Sequence, residues 1–478
     1  MGNECGKIYD CVIVGGGVIG AFVARELMRY SGRFLLLEAG NDVSVGTTKA
    51  NSGIVHAGFD AAPNTRKAKY NVLGSRLMER KCRELDVPYK RNGALVLAFG
   101  NDGDLRKLRA RGMTNGVDVE IISGDAARAL EPRLSEKATS ALFAPSSAIV
   151  SPYELAIACC ENFTDNGGEL KTDTRVNTVR RGARGFWYVE TERDVFLTRS
   201  VVNAAGLYSD DIHNSACADK LKTTARRGQY MLLDKAALPV ERTVFQTPTA
   251  LGKGVLVAPT CHGNTVIGPS AEDVADRSDA ATTADVLDAV FERARLSVPT
   301  LSKRDIITQF SGLRAVCGDD FVLGESADGF FDAVGICSPG LASSPAIGEY
   351  LAGAVAQKLG LGENKKFEPR REGIFRFAEA TDEERARMIE RDPSYGRIVC
   401  RCETVTEGEI AEAVRRGAVD LDGVKRRVRA GMGRCQAGFC TPNLIKIIAR
   451  ELGISPNFVT KNGGGSTVLW QVDNGGGK

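Results

Sequence analysis

Four cysteines, Cys400, Cys402, Cys435 and Cys440, are spaced C-x-C, thirty-two residues, then C-x₄-C. A tight pair, a long gap and a second tight pair bring four thiolates back to one metal site, and the thiolate is the form that ligates. On spacing alone, four thiolates suit a structural zinc ion as well as an iron–sulfur cluster. The glycine-rich flanks Gly431-Met432-Gly433 and Gln436-Ala437-Gly438 favour [2Fe–2S], because uncovered backbone N–H groups there can point at cluster sulfurs. An oxidised cluster with its thiolates carries a charge of about −2. The run Lys425-Arg426-Arg427-Val428-Arg429, with Arg401 and Arg434, is expected to offset that charge; the plainer reading of the run is a solvated helix face.

The chain holds only three histidines. A histidine, whose ordinary pKa lies near neutrality, suits removal of a hydroxyl proton while hydride leaves the carbinol carbon. His262, in the turn Thr260–Asn264 at the end of a strand, is the preferred base, and His56 is the second candidate. Each competes with the ordinary histidine satisfied by backbone hydrogen bonds. His213 reads as a surface loop residue. Arg314 sits in the small, apolar stretch Ser311-Gly312-Leu313-Arg314-Ala315-Val316. A charge there needs a partner, either a substrate carboxylate or phosphate held bidentately or a structural aspartate. Lys49, Arg66 and Lys253 are weaker anion ligands. Cys261, Cys317 and Cys337 are given no role, because buried free thiols are usually inert.

Certain elements must position these groups. Ile8 to Val14 reads as a buried strand, followed by the turn Gly15-Gly16-Gly17-Val18-Ile19-Gly20, a helix from about Val18 to Tyr30, and a strand Phe34–Leu37 ending in Glu38. That order raises the glycine pattern to a dinucleotide-binding fingerprint. Gly15 permits the turn, Gly17 lets backbone approach a pyrophosphate and Gly20 allows close helix–strand packing. The helix N-terminus faces the phosphates, and Glu38 accepts from ribose hydroxyls. The fingerprint by itself leaves NAD open; the acid and both strands, together with motifs later in the chain, favour FAD. Later, Ser200–Gly206 and Asp332–Ile336 repeat the strand-into-small-turn pattern. Ser338–Pro345 reads as a loop opening a helix around Ala346–Leu359. Strand patterns at Gly93–Phe99, Gln229–Leu233 and Gly254–Val257 lie between.

The 478 residues, 43% hydrophobic and 26% charged with a net charge of +3, require more than one core and call for no nucleic-acid partner. No apolar run reaches the roughly 20 residues of a membrane span. The start lacks signal-peptide character, and Gly6 stands where an acylation motif beginning Met1-Gly2 wants Ser or Thr. Thirteen cysteines without a secretory signal read as free thiols plus a metal site in a reducing, cytoplasmic compartment. The expected architecture is α/β: a discontinuous Rossmann-like FAD-binding domain (1–80, 140–225 and 315–360), an inserted α+β substrate or cap domain (81–139 and 226–314), a linker (361–396), a small helical [2Fe–2S] module (397–455) and a tail (456–478).

These residues carry a resemblance. Thr47-Thr48-Lys49-Ala50-Asn51-Ser52-Gly53-Ile54-Val55-His56-Ala57-Gly58, Pro259–Asn264, Ser311–Arg314 and Ser338–Leu341 resemble the glycine/D-amino-acid-oxidase group of FAD oxidoreductases, most closely its branch of glycerol-3-phosphate and 2-hydroxyglutarate dehydrogenases. The tail from Val399 to Cys440 is similar to the bacterioferritin-associated-ferredoxin-like [2Fe–2S] module. The resemblance implies cofactor contacts from Thr48, Asn51, Ser52, Gly206, Gly340 and Leu341 and a substrate site with His56, His262 and Arg314. It implies oxidation of a small anionic secondary alcohol, sn-glycerol-3-phosphate first, with electrons passed to a second redox subunit. His56-Ala57-Gly58-Phe59-Asp60 carries an acid where membrane-type relatives carry Gly-Gly-Leu-Arg. The phosphate ligand must then come from elsewhere, or the substrate is a carboxylate such as L-2-hydroxyglutarate or an amino acid. A non-catalytic electron-transfer or zinc-binding regulatory subunit is the reading from another class.

Overall fold

β1 (Ile8–Val14) is apolar along nearly its whole length because it pairs in parallel on both edges and is covered on both faces. One neighbour is β2 (Phe34–Leu37); the other is the strand Val195–Asn203. With Glu169–Lys171 beyond β2 and Phe330–Val334 beyond Val195–Asn203, they form a five-stranded parallel core. The hairpin Val176–Arg181/Trp187–Thr191 pairs antiparallel with the first half of Val195–Asn203. The computed structural model describes residues 7–182, 185–237, 240–247 and 254–469; Lys253, the first six residues and the glycine-rich end lie outside them.

The helix α1 (Val18–Leu27) crosses from β1 to β2 with every residue buried. It packs beside the helices Pro152–Asp165 and Gly340–Leu359 in the largest apolar cluster. The last of these begins earlier than the sequence suggests, at Gly340 rather than near Ala346, with Pro345 inside it. Proline supplies no N–H to the carbonyl four residues back. The Ser344 hydroxyl donates to that Leu341 carbonyl instead, at 2.8 Å, and the Ser343 hydroxyl donates to the Pro339 carbonyl.

The inserted segments build a nine-stranded sheet whose longest pairing, Thr224–Leu233 against Ile306–Val316, runs antiparallel over both strands. Its two faces are apolar and differently covered. One carries Leu95, Leu97, Met231, Val257 and Ile267 beneath the helix Ala284–Ser297. The other carries Val96, Tyr230, Phe245, Leu256 and Ala258, packed with Ile54, Ala57 and Phe59.

The chain divides into two units, the larger comprising residues up to Ala39 and Val43–Arg371, the smaller Gly40–Asp42 and Glu372 onward. Residues 361–371 belong with the larger unit, where Leu361 and Phe367 pack on its core. The smaller unit is helical: Asp382–Arg391, Glu407–Arg415, Leu421–Val428 and Thr441–Leu452, with a short strand pair Ile398–Cys400/Val405–Thr406. Thr381 and Thr406 close capping boxes with Glu384 and Glu409, and Asp420 caps the third helix.

Candidate functional site: a dinucleotide edge, a cationic sheet face and a four-cysteine centre

In a parallel sheet all carboxyl ends point one way, and ligands bind outside them. Here that edge gathers the turn after β1, Glu38 after β2, Gly206 after Val195–Asn203 and the Gly335–Gly340 loop after Phe330–Val334. Gly15 has φ +107°, and a Cβ on it would lie 2.5 Å from the Ala204 carbonyl oxygen. A Cβ on Gly20 would lie 1.9 Å from the Gly15 carbonyl oxygen, so α1 touches the turn it leaves. Gly17, which has no side chain to cap with, is the N-cap of α1 in extended conformation. The Gly16 N–H donates to Glu38 Oε2 at 2.7 Å, and the Val18 N–H donates to Thr48 Oγ1 at 3.0 Å. These contacts leave a narrow, glycine-lined helix start of the kind a pyrophosphate needs.

Thr48 thus pins the segment 47–53 against the fingerprint. Asn51 shapes that segment from within, donating to the Thr48 carbonyl and accepting from the Gly53 N–H, with half-buried Ser52 between them. The inserted sheet seats directly on it. A Cβ on Gly312 would lie 1.9 Å from the Ala50 carbonyl oxygen, and the Thr47 hydroxyl donates to the Leu313 carbonyl. Side chains alternate along a strand, so Phe310 and Arg314 share the face of Gly312, opposite Tyr230 and Arg226 in register.

Arg314 donates to the carbonyl oxygens of Arg226, Arg227 and Ser270, the last at 2.8 Å. Among the described residues it makes no ion pair with a carboxylate; Asp273, the nearby acid, is held bidentately by Arg226. Tyr230 stacks on Phe310 with centroids 4.9 Å apart; burial pushes its hydroxyl pKa up, and Arg314 pulls it partly back. The ring of His56 stacks on Phe245 of the same apolar face at 5.8 Å. Tyr230, Phe310 and Phe245 belong to one apolar cluster, with Arg314 further along the strand from Phe310 and His56 stacked on Phe245. The sequence reading named the arginine and the histidine but not the aromatics, whose signal was alternation along Arg226–Leu232.

His262 lies elsewhere in its contacts. Its Nε2 sits 2.6 Å from Glu154 Oε1, the ring only 8% exposed, and Ser151 also donates to that oxygen. Phe59 is buried against the segment's own helices, and Asn115 donates to the Gly58 carbonyl, so Gly58-Phe59-Asp60 serves packing as well. The backbone N–H of Arg66, at a helix start, donates to Asp320, and its guanidinium donates to the Phe321 carbonyl. His213 corrects its sequence reading: it is a buried helix residue, paired with Asp332, because the helix Ser209–Ala216 lies against the strand Phe330–Val334.

In the smaller unit the four cysteines pair off. The Cys440 thiol hydrogen-bonds to Cys400, whose pKa falls to about 6, while that of Cys440 rises; Cys402 interacts likewise with Cys435. No three of the four bring their sulfurs within 4.8 Å of one another. Two pairs fit two irons better than four ligands converging on one zinc. The Gly431 N–H donates to Cys400 Sγ at 3.5 Å. A Cβ on Gly433 would lie 2.3 Å from Cys402 Cβ. Thr404, Arg429, Gln436 and Ala437 all hold positive φ around the sulfurs, strain that clusters at functional sites. The expected role of the basic run changes: Arg426 and Arg427 share Asp42, and Arg429 binds Glu403, so two carboxylates already take up part of its charge. Arg401 and Arg434 remain on the surface beside the sulfurs.

A family model described as FAD dependent oxidoreductase matches residues 10–354, and one described as BFD-like [2Fe-2S] binding domain matches residues 398–450. The chain belongs to the FAD-dependent oxidoreductase family, binds FAD, and carries a [2Fe–2S] domain after it. A glycerol 3-phosphate dehydrogenase of Caloramator mitchellensis is 45% identical over 97% of this chain and 98% of its own. L-alpha-glycerophosphate oxidase from Mycoplasma pneumoniae, solved with FAD bound, superposes with a TM-score of 0.72 at 29% identity, covering 76% of this chain and 98% of that one. L-2-hydroxyglutarate dehydrogenase of Pongo abelii is 29% identical over 74% of this chain and 88% of its own.

Proposed function

We infer that the protein is a dehydrogenase of sn-glycerol-3-phosphate, producing dihydroxyacetone phosphate. The observation that carries this reading is the likeness to a glycerol 3-phosphate dehydrogenase along the whole chain, cysteine module included. FAD, when bound, supplies the two-electron acceptor, and the [2Fe–2S] cluster supplies one-electron transfer to a second redox subunit. Gly15, Gly17, Gly20 and Glu38 would hold the dinucleotide, with Thr48, Asn51, Ser52, Gly206, Gly340 and Leu341 lining its path. Cys400, Cys402, Cys435 and Cys440 would ligate the cluster.

Arg314 binds the phosphate, since among the described residues it makes no ion pair with a carboxylate. Tyr230, Phe310 and Phe245 exclude water around the carbinol, which strengthens that ion pair. Of the two histidines, His56 is favoured as the proton acceptor, because it stands on the sheet face that bears Arg314. His262, tied to Glu154, holds the turn Thr260–Asn264. An exposed Cys402 and an 86% exposed Phe439 beside Cys440 offer the redox partner a docking point. A cytoplasmic setting agrees with the twelve described cysteines, all of them free. Among the described residues no helix is long and apolar enough to cross a membrane.

Anaerobic stopped-flow absorbance of the cluster-replete protein tests the assignment. Rapid bleaching of the flavin band by glycerol-3-phosphate, and not by L-2-hydroxyglutarate, is expected. Bleaching by the hydroxy acid alone would transfer the assignment to a carboxylate substrate, as the acid at Asp60 suggests.

A further inference from the structure

Where the strand Val195–Asn203 ends, the chain turns into the helix Ser209–Ala216, with Cys217 and Asp219 just after it. A ring nitrogen of His213, Cys217 Sγ and a carboxylate oxygen of Asp219 lie within 4.8 Å of one another. His213 and Cys217 are four residues apart, so one side of the helix end presents both. The histidine side chain is 1% exposed, and its orientation is set from behind: Nδ1 lies 2.6 Å from Asp332 Oδ2. Asp332 is itself fixed, accepting from Asn203 Nδ2 at 2.8 Å. Nε2 therefore faces Cys217 and Asp219, 3.5 Å from Asp219 Oδ2, buried and without a hydrogen-bond partner. Buried polar nitrogens are rarely left so.

A carboxylate behind the ring and an unsatisfied nitrogen in front is how metal-ligating histidines are held. We propose that His213, Cys217 and Asp219 bind one divalent cation of the zinc class, with water in the fourth position. One nitrogen, one sulfur and one oxygen suit zinc's borderline softness and disfavour magnesium or calcium, which avoid thiolate. The ion replaces the Cys217 thiol proton, which leaves to solvent past Asp219. Asp219 is 73% exposed, so the site also has an entry path. Bound there, the ion links the helix and its following loop, through His213 and Asp332, to the strand Phe330–Val334. It would thereby stiffen the carboxyl edge on which Gly206 lies.

The alternative is a histidine ring held between Asp332 and Asp219 with no metal, and the two differ in zinc uptake. The test uses full-length protein loaded with flavin and cluster, so that the four-cysteine centre is already filled. Zinc is titrated in competition with a chromophoric chelator, and metals per chain are counted by elemental mass spectrometry. Wild type is expected to take one zinc beyond its cluster iron. Asp219→Asn and Cys217→Ser should weaken that uptake about tenfold or more, with iron and flavin contents unchanged. Asp219 is exposed, so its variant keeps the test valid should Cys217→Ser fold poorly. Equal zinc affinity in wild type and Asp219→Asn, or no uptake at micromolar free zinc, would overturn the site.

Discussion

Arg314 is half-buried, hydrogen-bonds to carbonyls, and among the described residues makes no ion pair; Asp273, the acid that feels its charge, is already held bidentately by Arg226. Removing one partner of a desolvated charge pair typically raises a dissociation constant by about 100-fold or more. Arg314→Ala should therefore raise KM for an anionic substrate by about that factor while flavin content stays unchanged. Arg314→Lys should recover only part, because an ammonium cannot grip phosphate with two parallel hydrogen bonds. An unchanged KM in Arg314→Ala, measured by steady-state turnover, would remove Arg314 as the anchor. At this scale the sequence could flag an arginine among small apolar neighbours. It could not say which candidate partner, aspartate or substrate, stood opposite. That depended on Asp273 being taken by Arg226, a cross-strand neighbour nearly fifty residues away in the chain.

Among the elements, the helix Glu407–Arg415 starts on a capping box whose acid, Glu409, is buried. Burial pushes its pKa up to about 7, against hydrogen bonds from the Thr406 N–H and hydroxyl and the Phe377 N–H. The folded value lies above the ordinary 4.5, so folding takes up a proton. The contribution is complete below pH 4.5 and is lost as pH rises through about 7. Its size is on the order of 3 kcal/mol. Asp42, held below its ordinary range despite burial by Arg427 and Arg426, acts in the opposite sense but only in more acidic solution. Calorimetry from pH 5 to 8 should show the smaller unit losing stability with rising pH, and Glu409→Gln should flatten that slope. The same slope in both proteins would place the proton on another group. The element boundaries show where local reading stops. α1 and β2 follow from contiguous residues, whereas the start of Gly340–Leu359 rests on Ser344 satisfying a carbonyl that Pro345 abandons.

For the whole molecule, the paired sulfurs make a separable prediction. Replacing one cysteine of each pair, as Cys435→Ser with Cys440→Ser, should abolish iron binding while flavin content persists. Substrate should still bleach the flavin band, and turnover with one-electron acceptors should collapse. Loss of substrate bleaching together with the iron would show that the cluster supports the substrate site itself. The α/β class, the FAD fingerprint and the cysteine module were legible from sequence alone, because each rests on short-range constraints. A glycine turn needs its conformation within a few residues, a buried parallel strand shows as one apolar run, and metal-ligand pairs lie close in the chain. The tertiary structure alone decided which sulfurs pair, which sheet face carries Arg314 beside Tyr230 and Phe310, and that His213 is buried behind Asp332. Those facts rest on contacts between residues tens to hundreds of positions apart, which no local period or spacing encodes.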